Sequence, residues 1–160
     1  MLTLFRVGLW GPIRQIVDVF DRLTRKEIIF DVSELFYEKV YEHPWLSQYF
    51  KDVDQTFITQ QQADFMVGAL GGPRAFSGRL PSNAHPHMMI TDELFDLREA
   101  LLKDSLDELK APEYLKEAWI RIDEAFRHVI VKKTKSECQP RYGNEPILDF
   151  ESPYPQKKAA

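Results

Sequence analysis

Cysteine is nearly absent from this chain of 160 residues; Cys138 is the only one. A lone thiol excludes an intramolecular disulfide framework and a Cys-rich metal site. Basic excess is also missing. There are 21 Lys and Arg against 25 Asp and Glu, for a formal net charge of −4, so the electrostatic footprint of a nucleic-acid binder is lacking. No apolar run approaches the roughly 20 residues of a membrane-spanning helix. The segment from Met1 to Trp10 is apolar, but its one cation, Arg6, comes late. It has neither the basic start nor the small-residue cleavage site of a secretory signal. No G-x-S-x-G, P-loop or G-x-G-x-x-G occurs, and no internal repeat is visible. These absences lead to the expectation of a soluble cytoplasmic protein with no nucleic-acid partner and no membrane span.

What is present suits one helical domain. Hydrophobic residues make up 44% of the chain and aromatics 12%, enough for a core and too many for a disordered chain. The pattern predicts six helical stretches and no strand. Gly11-Pro12 opens the first, and Ile13, Ile16, Val17, Phe20 and Leu23 follow helical spacing. The second runs over 26–42 on the stripe Ile29, Val32, Phe36 and Val40, and stops at His43-Pro44. A short third element carries Trp45, Leu46, Tyr49 and Phe50. Asp54 caps the fourth, over 55–70, and Gly71-Gly72-Pro73 ends it. Residues 73–90 have room for one short turn. Thr91 caps a fifth helix that runs to about Lys110. Pro112 starts the sixth, whose face is Leu115, Trp119, Ile122, Phe126 and Val129. The rest reads as an irregular tail over 134–160, with too little periodicity over 136–160 to form a core by itself.

Three polar features interrupt the apolar faces. Gln62 shares a stripe with Ile58, Phe65 and Ala69. It either reaches water at the stripe's edge or needs a partner, because burying an unpaired amide costs about 1–3 kcal/mol. Tyr37 follows Phe36 beside the second helix's stripe and poses the same choice for its hydroxyl. His85 and His87 lie in an irregular stretch among Leu80, Ala84, Met88, Met89 and Ile90. Two such histidines make no zinc site without further ligands in register, and His43 and His128 are too dispersed to supply them. A cofactor with one protein ligand, such as haem, suits this inventory better. Phe36, Phe50, Phe57, Phe65 and Phe95 offer aromatic walls for a flat, apolar slot.

Taken together, the residues resemble a known family. Phe36-Tyr37-Glu38-Lys39-Val40, Tyr49-Phe50-x-Asp52-Val53-Asp54, Gln61-Gln62-x-x-Phe65, Gly71-Gly72-Pro73, Phe76-x-Gly78-Arg79, Ala84-His85 and Ile90-Thr91 occur in this order. The set resembles the truncated hemoglobins over about residues 14–133, leaving an extension over 1–13. Each motif alone is weak; their joint order and spacing are specific. The distance from Gly72 to His85 is similar to that of the family's compact first group.

The resemblance implies an all-α, two-over-two helical sandwich around one haem b. It implies His85 as the iron ligand, with Tyr37 and Gln62 as the distal pair that stabilises a bound ligand. Phe50 corresponds to a phenylalanine that packs on the haem, and Ile58 to the gate of the distal pocket. Gln61 falls where some members carry a sixth iron ligand, which a glutamine amide serves poorly; a five-coordinate iron is therefore expected. Phe36, Phe65, Leu80, Met89, Ile90 and Phe95 complete the expected cofactor contacts. The implied ligands are O₂, NO and CO. The implied activities are conversion of NO to nitrate with bound O₂, or a peroxidase reaction, supported by a reductase. The alternative is a haem-based gas sensor or partner-binding module without turnover. Three features depart from the pattern: Thr24-Arg25 replaces a glycine pair, Pro86 follows His85 and keeps His87 as a second candidate ligand, and Arg98 replaces an apolar or tryptophan residue. Arg74, Arg79 and Arg98 are the candidate cations for propionates.

Overall fold

The computed structural model describes residues 26–155. The expected first helix, the extension over 1–13 and the Thr24-Arg25 corner lie outside the described residues. Within them the fold is all-α, with five α-helices and two short 3₁₀ turns: α1 (Lys26–Glu42), a 3₁₀ turn (Leu46–Phe50), α2 (Gln55–Ala69), α3 (Pro81–Ala84), α4 (Asp92–Glu108), α5 (Glu113–Ile130) and a second 3₁₀ turn (Lys135–Glu137).

Local chemistry sets these boundaries. Asp54 caps α2 by accepting a 2.7 Å hydrogen bond from the Phe57 backbone. Gly71 ends the same helix at φ +96°, a conformation glycine adopts without Cβ strain. The Gly72 N–H then closes on the Val67 carbonyl at 2.8 Å. Thr91 caps α4 by accepting from Leu94 at 3.2 Å. α4 stops at Glu108, two residues before the expected end, and Lys110 follows at φ +52°. His43 has a different task from any metal role: its Nδ1 accepts from the Trp45 and Leu46 backbones at 3.1 and 3.3 Å, which starts the first 3₁₀ turn.

The core joins the expected stripes. Ile29, Val32, Phe36 and Val40 of α1 meet Leu102 and Leu106 of α4 and Leu115 and Trp119 of α5, all buried. Each such side chain contributes about 1.5–3 kcal/mol. The sixth predicted stripe veers at its end: Val129 is exposed, and Ile130 packs on the core in its place. Ionic clasps lie over the seams. Lys39 of α1 reaches Asp104 and Glu108 of α4 at 2.6 and 2.8 Å. Arg127 of α5 stacks 4.2 Å from the Phe95 ring centroid and pairs with Asp92 and Asp96.

The described part of the tail is irregular in backbone but packed. Leu148 forms a parallel bridge with Met88; its N–H donates to the His87 carbonyl, and its own carbonyl accepts from Met89. The Trp45 indole N–H donates to the Phe150 carbonyl at 2.8 Å. Leu148 and Phe150 also pack on the core. These partners are mostly backbone groups, which leave no periodic mark in a sequence.

Candidate functional site

All five long or short α-helices and the loop after α3 border one cavity of about 300 Å³. α1 contributes Phe36 and Tyr37, the first 3₁₀ turn Phe50, and α2 Ile58, Gln61, Gln62 and Phe65. The loop contributes His85, His87 and Ile90. Phe95 and Arg98 come from α4, and Asp123 and Phe126 from α5. Ten of the residues expected at the site are thus brought together: Tyr37, Gln62, His85, Phe36, Phe50, Ile58, Gln61, Phe65, Ile90 and Phe95.

Others are not. Leu80 is 56% exposed and does not line the cavity. It precedes α3 as its N-cap, where the turn sends the side chain toward water. Met89 is buried away from the lining, drawn to the tail by its bond to Leu148. Phe57 is 60% exposed in the first turn of α2. Arg74 also stands outside the lining and is exposed.

The two histidines differ in their hydrogen bonding. Helix α3 stops at Ala84 and His85 takes φ −112°, ψ 5°, in keeping with the restriction Pro86 imposes. The His85 Nδ1 lies 2.8 Å from the Pro81 carbonyl oxygen. A carbonyl only accepts, so Nδ1 carries the proton and Nε2 keeps its lone pair. Burial pushes the His85 pKa down to about 4; the Pro81 bond opposes this, and the Arg98 and Lys132 charges add to it. The ring is neutral at pH 7, the form a metal requires. His87 is buried with Nδ1 unpartnered, and its Nε2 is 3.7 Å from Glu145. Lys132 secures the loop, donating to the carbonyls of His85, Met88 and Ile130 at 3.0, 2.9 and 3.1 Å.

Tyr37 is 5% exposed, so it is not the half-wet tyrosine its sequence position also allowed. Its ring meets Phe36 and Phe50 edge-on at 4.9 and 5.8 Å. Burial raises the pKa of its hydroxyl, with the Arg98 guanidinium opposing, so at neutral pH it remains a donor. Gln61 crosses the backbone of Gly78 so tightly that a Cβ there would lie 2.5 Å from Gln61 Oε1. Arg98 pairs with Asp123 inside the cavity wall. Asp123 escaped the sequence reading, although a carboxylate between Trp119 and Phe126 at helical spacing was the signal for it. Arg141, also a lining residue, lies in the tail and carried no such signal.

The free Nε2, the apolar walls and the two polar groups on α1 and α2 fit a haem: one neutral imidazole for iron, and donors for a ligand. Residues 18–132 match the family model for the bacterial-like globin. The chain belongs to that family, and within it the chain is a truncated hemoglobin. It is 28% identical over 120 residues to a group 1 truncated hemoglobin of Tetrahymena thermophila, covering 75% of this chain and 93% of the relative. It is 31% identical over 91 residues to that of Tetrahymena pyriformis, covering 57% and 75%. The ferric crystal structure of the T. pyriformis protein superposes with a TM-score of 0.64 at 28% identity, over 72% of this chain and 98% of that one. Variants of that protein are substituted at a tyrosine and at glutamines 21 and 25 residues after it. The same steps counted along this chain from Tyr37 reach Ile58 and Gln62. The family supplies a haem cofactor and binding of small gas ligands such as O₂. No helix among the described residues is long and apolar enough to cross a membrane.

Proposed function

We propose that His85 Nε2 would be the one protein ligand to the iron of a haem b, which would leave that iron open to O₂, NO or CO, with Tyr37 and Gln62 as the hydrogen-bond donors toward the gas. The observation that carries this reading is the Nδ1 contact of His85 with Pro81, which fixes the tautomer and leaves Nε2 free. Bound haem supplies an iron that passes electron density onto its diatomic ligand. The Tyr37 hydroxyl and the Gln62 amide are the donor types that favour such a ligand. Phe36, Phe50, Phe65, Ile90 and Phe95 line the cavity; beside a bound haem they would keep water out and strengthen those hydrogen bonds. Ile58 adds no donor at the mouth. Arg79 is exposed, lines the cavity and forms no ion pair among the described residues, so it is the cation for a propionate. The same polar pair suits oxidation of NO to nitrate. Each turnover joins one NO to one O₂ and takes one electron from a reductase, a setting a reducing cytoplasm provides. Absorption spectra of the reduced chain with and without CO test the haem assignment. Consumption of NO by the O₂-bound chain, with nitrate as product, tests the reaction. A chain that purifies without a Soret band and acquires none on adding haem would overturn both.

A further inference from the structure

The Arg98–Asp123 pair is the least expected feature of the cavity. Both residues line it, and their side chains are only 25% and 12% exposed. A buried ion pair is weak support for stability, because desolving two charges offsets most of their attraction. Apolar residues of similar volume would close the same seam between α4 and α5. The guanidinium also stacks 5.0 Å from the Phe36 ring centroid, on the residue that precedes Tyr37. Among the described residues its one hydrogen-bond partner is Asp123, reached through Nη1. A guanidinium has five N–H donors, so several remain beside the cavity, next to the Tyr37 side chain, whose hydroxyl feels the Arg98 charge and, with opposite sign, that of Asp123.

We propose that Arg98 makes this cavity a site for small monovalent anions at the iron, with Asp123 as the counter-charge that holds the guanidinium in place and tempers its pull. This rests on the haem reading above. A cation in a low-dielectric wall favours an anionic ligand over a neutral one of similar size. Asp123 holds the pair's net charge at zero, so its neutralisation exposes the full positive charge to the ligand. Arg98 is in this sense a positioning and specificity-determining residue. A propionate would have to compete with Asp123 for it, whereas Arg79 is free of any such partner among the described residues.

The test is optical titration of the ferric full-length holoprotein with sodium azide, and with imidazole as a neutral ligand, at fixed pH and low ionic strength. Arg98→Met is expected to weaken azide by about tenfold or more and leave imidazole within about twofold. Arg98→Lys should recover part of the loss, and Asp123→Asn should tighten azide several-fold. A Soret band and a normal ferrous-CO spectrum in each variant establish that haem is held. If those spectra are normal and azide and imidazole shift together, or neither shifts, the anion assignment is wrong while the haem reading stands. Haem loss from Arg98→Met with unchanged azide affinity in the fraction that keeps it would make Arg98 a propionate partner and overturn the proposal. Absence of the Soret band from the unmodified chain would bring down the haem reading and this inference with it.

Discussion

His85 Nδ1 and the Pro81 carbonyl oxygen are 2.8 Å apart, across the one-turn helix that ends at Ala84. That contact makes a four-residue helix more than a connector. It spends the ring's one proton on the backbone and turns the other nitrogen into the only lone pair the imidazole has left. His87, two residues on, has no such partner for Nδ1. The distinction between the two histidines is therefore one of hydrogen bonding, and sequence spacing alone could not make it.

The loop that carries His85 depends on Lys132. Its ammonium serves three carbonyls, those of His85, Met88 and Ile130. Lys132→Met keeps the stem and removes the donors. We expect a loss of about 1–3 kcal/mol in urea unfolding, since part-buried carbonyls lose a charged donor. Haem transfer to apomyoglobin should be faster as well. Unfolding midpoints and transfer rates equal to those of the unmodified chain would contradict this role.

Tyr37→Phe and Gln62→Leu should each raise the O₂ dissociation rate. A hydrogen bond in a dry pocket contributes about 1–3 kcal/mol, which corresponds to roughly five- to a hundredfold. The two donors share one acceptor, so the double variant should fall short of the product of the single effects. CO stays nearly neutral when bound, and its release should change much less. Stopped-flow displacement of O₂ by CO checks this; changes under about twofold, roughly 0.4 kcal/mol, would remove both residues from the ligand site.

Residues 139–150 tie the His85–Met89 loop to the first 3₁₀ turn. Tyr49 joins the two, donating to the Met89 carbonyl at 3.1 Å and accepting from the Phe150 N–H at 3.3 Å. A chain stopped at Lys135 loses the Phe150–Tyr49 and Trp45–Phe150 bonds and the packing of Leu148 and Phe150. The expected cost is about 2–5 kcal/mol, lowering the thermal midpoint by roughly 5–15 °C. Calorimetry that finds the shortened chain as stable as the full one would show the tail to be a passive cover.

Glu145 gives the tail a pH dependence of known sign. Hydrogen bonds from Arg141 hold its carboxyl down to about 2, against the opposing effect of burial. A depressed carboxylate stabilises the fold fully above its ordinary value of 4.5, and that contribution fades as pH falls from 4.5 toward 2. The stability gap between the unmodified chain and Glu145→Gln should thus be clear at pH 7 and visibly smaller at pH 3. Urea unfolding at the two pH values measures it. An equal gap at both would mean that the charge of Glu145 contributes nothing.

The helices were legible because their signals are local. The stripe of Ile29, Val32, Phe36 and Val40 and the caps Asp54 and Thr91 all act within a few residues of where they stand. Tyr37 and Gln62 were legible as polar residues among apolar ones, and they do line one cavity. Leu80, Met89 and Phe57 lie outside the cavity lining because nearness in sequence to His85, or to α2's stripe, does not fix which way a side chain turns. The tail's docking was not legible for another reason: Leu148 and Phe150 dock through backbone groups at positions more than 55 residues from their partners. Arg98 was noticed, but its partner Asp123 sits 25 residues away on another helix, and only the fold brings the two charges together.

The central claim, that His85 alone ligates the haem iron from the protein side, is tested most directly by ferrous absorption spectra of the full chain, His85→Gly and His87→Gly. The unmodified chain and His87→Gly should show a five-coordinate ferrous spectrum that converts on adding CO. His85→Gly should fail to retain haem, or regain the spectrum only with added imidazole, which fills the space left by the ring. A normal spectrum from His85→Gly, with imidazole rescue shifted to His87→Gly, would contradict the assignment.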